Sequence, residues 1–129
     1  EIIRPSLKKG DWVISDRFCG STLAYQGFGR KLDIKLIKDL ENIATQGVSP
    51  DITFFLDIPV DESIKRRISK QDDRIEKEGR EFLYNVSLGF KTLSENNKWK
   101  RISALNSKEE IISDIKCEIH KLLKNKQNG

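Results

Sequence analysis

The sequence contains no Met, one His, two Cys and three Pro in 129 residues. Each scarcity narrows the reading. Cys19 and Cys117 are far apart and form no C-x-x-C pair, so neither a zinc site nor a disulfide framework is indicated. A reducing, cytoplasmic compartment is the expectation. His120 is the lone histidine and lies among lysines in the last predicted helix, where a solvated side chain is the expectation. No run approaches the roughly 18 apolar residues of a membrane span. The start, Glu1-Ile2-Ile3-Arg4-Pro5, has no apolar signal region. With no Met there or anywhere, the chain is expected to begin inside a longer protein. Zinc-finger, ribonucleoprotein and glycine-lysine clamp motifs are all absent, so the net charge of +4 reads as a lysine-rich solvated face and tail rather than a nucleic-acid surface. The phosphate-cradling pattern G-x-x-x-x-G-K-[ST] also occurs nowhere in these residues.

What is present is a balanced globular composition, 36% hydrophobic and 34% charged. That is enough for one modest core and too little chain for two domains. Strand and helix patterns alternate. Asp11–Ser15 is a short apolar run after a Lys-Lys-Gly turn and reads as a buried strand. Asp33 caps a predicted helix to about Gln46, with Leu36, Ile37, Leu40, Ile43 and Ala44 on one face and Gly47 as its left-handed stop. Pro50 then opens Ile52–Asp57, a nearly unbroken apolar run expected to be covered on both faces. Asp61 caps a short helix toward Arg67. A polar stretch over 69–73 interrupts, and a longer helix is expected from Arg74 to about Leu93. Trp99–Ser103 is a last short strand. Ser107 and Glu110 form a capping box for a final helix striped by Ile111, Ile112, Ile115, Ile119, Leu122 and Leu123. Alternating strands and helices imply a parallel α/β sheet, with ligands held beyond the strands' carboxyl ends.

After Ser15 comes Asp16-Arg17-Phe18-Cys19-Gly20-Ser21-Thr22-Leu23-Ala24-Tyr25-Gln26-Gly27. An arginine at a strand end can fork two N–H groups onto a phosphate. An adjacent aspartate can orient that arginine or hold a metal-bound water. Thr22 and Gln26, four apart, share a face of a helical turn and suit the edge of a nucleobase. The plainer alternative is an Asp-Arg pair that ties a strand end to a helix; the density of polar groups at a ligand-binding edge disfavours it.

The run Ile14 to Gln26 resembles the signature of thymidylate kinases. Gly27–Asp33, Ser49–Ile58 and Asp73–Glu76 followed by Phe82 and Val86 resemble the bacterial branch. The resemblance implies an incomplete P-loop kinase-like fold of the nucleoside monophosphate kinase type, a three-layer parallel sheet lacking its first two strands. The whole chain, 1–129, would be one partial domain, with an acceptor motif at 14–26 and a lid at about 64–76. It implies that Arg17 holds the acceptor phosphate and Asp16 supports the magnesium and phosphate network. It further implies that Thr22 and Gln26 lie against thymine, that Ser21 is also substrate-binding, and that Tyr25 lies against the deoxyribose, where it would crowd a 2′-hydroxyl. The lid would draw on Arg66, Arg67, Lys70, Arg74 and Glu76, with Lys70 about where bacterial members carry an arginine and with Lys70 and Arg74 as catalytic candidates. The implied reaction is transfer of the ATP γ-phosphate, with Mg2+, to dTMP in a cytoplasmic homodimer, with no membrane partner. The alternatives are a related deoxynucleoside kinase and a non-catalytic remnant or interaction fragment. In the implied sheet the first strand lies between the third and fourth, so Asp11–Ser15 and Ile52–Asp57 are not expected to pair.

Overall fold

The structure is a computed structural model. It describes residues 2–68 and 74–127, and their side chains apart from those of 67, 68 and 74–78. Helix α1 (Ile3–Lys8) has no counterpart among the sequence expectations. Pro5 falls in its first turn, where its missing N–H costs nothing. Gly10 takes φ +84, and the Asp11 and Gly10 N–H groups reach back to Ser6 O and Leu7 O at 3.0 Å each. This is the Schellman arrangement that uses up a helix's last carbonyls. Arg4 donates to the Gln46 carbonyl at 2.8 Å, tying α1 to the far end of α3.

The strand expected at Asp11–Ser15 is not formed. The stretch carries no ladder, and Trp12 and Ile14 are 67% and 94% exposed. An apolar run becomes a strand only where another strand accepts its backbone groups. Among the described residues no strand lies beside it.

Helix α2 (Cys19–Thr22) runs directly into a π-helical segment, Leu23–Gly29. Helix α3 (Ile34–Thr45) starts as expected, with Asp33 Oδ1 accepting from Lys35 N at 2.8 Å and Leu36 N at 3.2 Å. Its stop differs by one residue: Gln46 already takes the left-handed conformation, and Gly47 continues it. Strand β1 (Phe54–Asp57) leads to α4 (Val60–Ile68), α5 (Arg74–Asn96), β2 (Lys100–Ser103) and α6 (Lys108–Gln127). Helix α5 bends at Gly79, whose φ of 74° and ψ of 155° are non-helical. The capping box of α6 is formed: Ser107 N and Oγ donate to Glu110 Oε2, and Glu110 N donates to Ser107 Oγ at 3.2 Å.

Strands β1 and β2 pair in parallel, Phe54 opposite Lys100 and Leu56 opposite Ile102. Bonds from Lys100 N to Thr53 O and from Ala104 N to Asp57 O extend the ladder at both ends. This is the only sheet among the described residues. Its two strands are the predicted Ile52–Asp57 and Trp99–Ser103 runs, but Leu56 is 47% exposed, so one face of β1 is open where cover on both was expected.

The core lies between the π-helical segment, α3 and α5. Leu23, Ala24, Ile37, Val86 and Leu93 are buried there, with Tyr25, Phe28, Phe82, Phe90 and Trp99 packed around them. Gly29 lets the segment approach α5: a Cβ there would come within 2.6 Å of the Phe82 ring. No large side chain among the described residues is fully buried. The chain's accessible surface is 10112 Å². A compact monomer of this mass exposes roughly 7,000 Å². Leu36, Leu40 and Ile43 on α3 account for part of the difference, each more than half exposed.

Candidate functional site

The polar run after Ser15 folds as a turn followed by the α2–π helix. Arg17 sits at the turn with φ +63, the left-handed region that non-glycine residues seldom enter. Phe18 is extended and opens the helix, its carbonyl accepting from Ser21 N at 3.0 Å. From just beyond the π segment Arg30 N reaches back to Tyr25 O, and Leu32 N to Gln26 O, both at 3.0 Å. These bonds fix the backbone beneath the predicted base-contact residues. Asp16, Arg17 and Thr22 are exposed; Ser21, Tyr25 and Gln26 are half-buried.

The Arg17 guanidinium carbon lies 5.3 Å from the Tyr25 ring centroid. Tyr25 is itself braced, 6.1 Å from Phe82 in a tilted contact and 6.1 Å from Phe90 edge-on. Phe90 stacks on Phe55 of β1 at 5.7 Å. A chain of aromatic contacts therefore runs from the sheet to the predicted phosphate anchor.

Nothing along the chain points to one neighbour of this run, Glu41 on α3. Burial pushes its carboxyl pKa up, opposed by a hydrogen bond from the Thr22 hydroxyl and by the charge of Lys38. Its Oε1 is buried without a hydrogen-bond partner. Burial and the Glu41 charge together raise the Cys19 thiol. Thr22 is thus engaged by one carboxylate of α3, Glu41.

The predicted lid residues are placed as follows. Arg66 Nε donates to Glu62 Oε1 at 3.2 Å, and its Nη1 donates to the Ala104 carbonyl at 3.1 Å, so it bridges α4 to the loop after β2. Arg67 lies in α4 and Arg74 and Glu76 in α5, with side chains outside the described ones; Lys70 lies outside the described residues. Helices α4 and α5 are braced by Asp61, which accepts from Arg80 at 2.8 Å and from the Tyr84 hydroxyl at 3.0 Å.

Two shallow concavities flank the sheet. One, of about 420 Å³, lies at the carboxyl ends of β1 and β2, lined by Asp57, Pro59, Arg101, Ser103 and Leu105. The other, about 320 Å³, lies between β2 and α6 and includes Trp99 and Glu118. Neither is lined by residues of the Asp16–Gln26 run, of which Asp16, Arg17 and Thr22 are exposed. Concavity and polar chemistry therefore point to different places. An arginine-led face can recognise a phosphate without an enclosed cavity. The first concavity contains a pair that no sequence pattern suggests: Arg101 Nε donates to Asp57 Oδ2 at 2.8 Å.

No three His, Cys, Asp or Glu side chains among the described residues converge on one point. Asp16 is a single exposed carboxylate.

Parallel strands joined by helices define an α/β chain. Comparison with known proteins narrows the class. The thymidylate kinase family model matches residues 1–115, and the chain belongs to that family, whose fold is the P-loop kinase type. A protein named thymidylate kinase from Prochlorococcus marinus (strain NATL2A) is 76% identical over 126 residues, covering 98% of this chain and 60% of that protein. Another, from Prochlorococcus marinus (strain MIT 9313), is 49% identical over 119 residues, 92% of this chain and 55% of that protein. A thymidylate kinase from Synechococcus sp. (strain CC9902) is 56% identical over 106 residues, 82% of this chain and 51% of that protein. The chain thus spans between half and three-fifths of these relatives' length. The two-stranded parallel sheet is consistent with part of the family's sheet. No helix among the described residues is long and apolar enough to cross a membrane.

Proposed function

We propose that the complete protein transfers the γ-phosphate of ATP to dTMP, giving dTDP for dTTP biosynthesis, and that this chain supplies the acceptor side and the lid. The observation that carries this reading is the Asp16–Gln26 face. Arg17 is exposed beside Tyr25, and Thr22 and Gln26 follow on the same continuous helix, in a chain whose relatives are named thymidylate kinase.

In this reading Arg17 binds the acceptor phosphate with two parallel N–H donors and fixes the nucleotide's register. Thr22 and Gln26 meet the thymine edge, Ser21 is a further substrate-binding residue, and the Tyr25 ring meets the deoxyribose. Asp16 would support the Mg2+ that accompanies the donor nucleotide, an ion that would supply charge neutralisation on the transferring group. Arg66, Arg67, Lys70, Arg74 and Glu76 belong to the lid, whose cations stabilise charge as the phosphoryl group moves, with Lys70 and Arg74 as the catalytic candidates. The work of such a site is positioning and electrostatics rather than covalent catalysis. A homodimer in a reducing cytoplasm is part of the proposal.

A substrate panel on the complete protein tests the reading. With ATP and magnesium, dTMP is expected to be the preferred acceptor over thymidine, dUMP and UMP. Preference for a nucleoside would instead identify a deoxynucleoside kinase.

A further inference from the structure

The sequence offers Tyr25 a role toward the sugar only. Its position offers another. We infer that Tyr25 is the positioning residue for Arg17: its ring face holds the guanidinium in place and leaves the N–H edges of that group open for a phosphate-bearing ligand. The inference deepens the proposed function and rests on it for the identity of that ligand.

Three observations carry it. The guanidinium carbon stands 5.3 Å from the ring centroid, within the range over which a cation is drawn to an aromatic face. Among the described residues the Arg17 side chain makes no hydrogen bond or ion pair, so the ring is what locates it. The ring is not free to follow the arginine, because Phe82 and Phe90 flank it.

The geometry has a chemical consequence. A guanidinium has five N–H donors, all in its plane and directed outward from its edges, whereas its attraction to a ring acts through its face or its diffuse charge. Orientation by a carboxylate would occupy the donors that a phosphate needs and would neutralise the charge. Orientation by a ring does neither. The left-handed backbone at Arg17 fits the same account, since it turns the chain sharply between the 11–15 stretch and α2 and places the side chain above Tyr25.

Two measurements on the complete protein test this. The first is the Arg17 Nε–H resonance in a 15N-labelled sample, identified by its disappearance in Arg17→Lys. Ring-current displacement of that proton is expected in the unsubstituted protein and in Tyr25→Phe, and its collapse to the free-arginine position in Tyr25→Leu. A position unchanged by Tyr25→Leu overturns the inference. The second compares the affinities for dTMP and for thymidine, which lacks the phosphate. Tyr25→Leu is expected to weaken dTMP roughly two- to fivefold more than thymidine, the worth of one exposed cation–ring contact. Equal weakening of the two ligands assigns Tyr25 to sugar packing alone and overturns the inference. Should Tyr25→Leu not fold, ring-fluorinated phenylalanines at position 25 keep the shape while draining the ring's negative face. Stepwise loss of dTMP affinity supports the inference, and constancy contradicts it. If neither ligand binds the unsubstituted protein, the nucleotide reading fails, and the Nε–H resonance still decides the Arg17–Tyr25 contact.

Discussion

Phe28 lies directly across the backbone of Gly89, so close that a Cβ on Gly89 would come within 2.7 Å of the Phe28 Cβ and Cγ. This contact seats the π-helical segment on α5 and so fixes the platform under Tyr25 and Arg17. Two effects oppose each other in Gly89→Ala. Alanine gains up to about 1 kcal/mol in helix propensity. Overpacking costs about 1–3 kcal/mol. The atoms met are the root of a phenylalanine rather than a flexible tip, so the cost wins. In the complete protein Gly89→Ala is expected to lose about 1–2 kcal/mol of stability by denaturant titration. Unchanged or raised stability would show that the two helices can part at no cost.

A second prediction concerns pH. Glu118 on α6 takes hydrogen bonds from Lys100 of β2 and from Lys121, and these hold its carboxyl at about 2 rather than 4.5. A carboxyl depressed in the folded state contributes fully above its unfolded value and loses that contribution as pH falls through the folded one. The thermal midpoint of the parent should therefore exceed that of Glu118→Gln at pH 7. The gap should close between pH 4.5 and 2. Because both lysines are exposed, it should also shrink in high salt. A gap independent of pH and salt would mean that Glu118 acts through packing.

Tyr25 carries a third expectation. If its ring crowds a 2′-hydroxyl, Tyr25→Ala in the complete protein relaxes discrimination against ribonucleotide acceptors. The measurement is the ratio of kcat/KM for dTMP to that for UMP, and an unchanged ratio removes the steric role.

The fourth concerns the 129 residues alone. Their surface exceeds that of a compact monomer by roughly 3,000 Å². Ile14, Leu36, Leu40 and Ile43 stand in water, and β1 has one edge unpaired among the described residues. Unpaired groups shielded from water cost about 1–3 kcal/mol each. A whole domain is stable by only about 5–15 kcal/mol. The isolated chain is expected to be loosely packed or to aggregate, and to give no turnover with ATP, magnesium and dTMP, since it holds no glycine-rich loop to align the donor. A sharp two-state transition with dispersed amide signals at low concentration would contradict the first expectation, and turnover above background the second.

How much of this the sequence displays depends on how far each partner lies along the chain. The Asp33 cap and the Ser107–Glu110 box involve residues two or three apart, and both are formed as expected. Helix α1 leaves no sequence signal, because Ile2, Ile3 and Leu7 show no periodic face long enough to register. The expectation of a strand at Asp11–Ser15 fails because apolar content supplies only half of a strand; the other half is a neighbouring backbone. At the site, Asp16, Arg17, Thr22, Tyr25 and Gln26 stand out by their density within one short run. Glu41 does not, because its link to Thr22 is made only when α3 folds against α2. Asp57 and Arg101 pair across 44 residues, a distance at which one sequence shows no signal.

The assignment of Arg17 to the acceptor phosphate is the centre of the account, and Arg17→Lys in the complete protein tests it most directly. Lysine keeps the charge and removes the two-pronged geometry, a loss on the order of 1.5–3 kcal/mol. With ATP and magnesium, kcat/KM for dTMP is expected to fall by well over tenfold while the protein's thermal midpoint is unchanged. Near-normal kinetics in that variant would contradict the assignment.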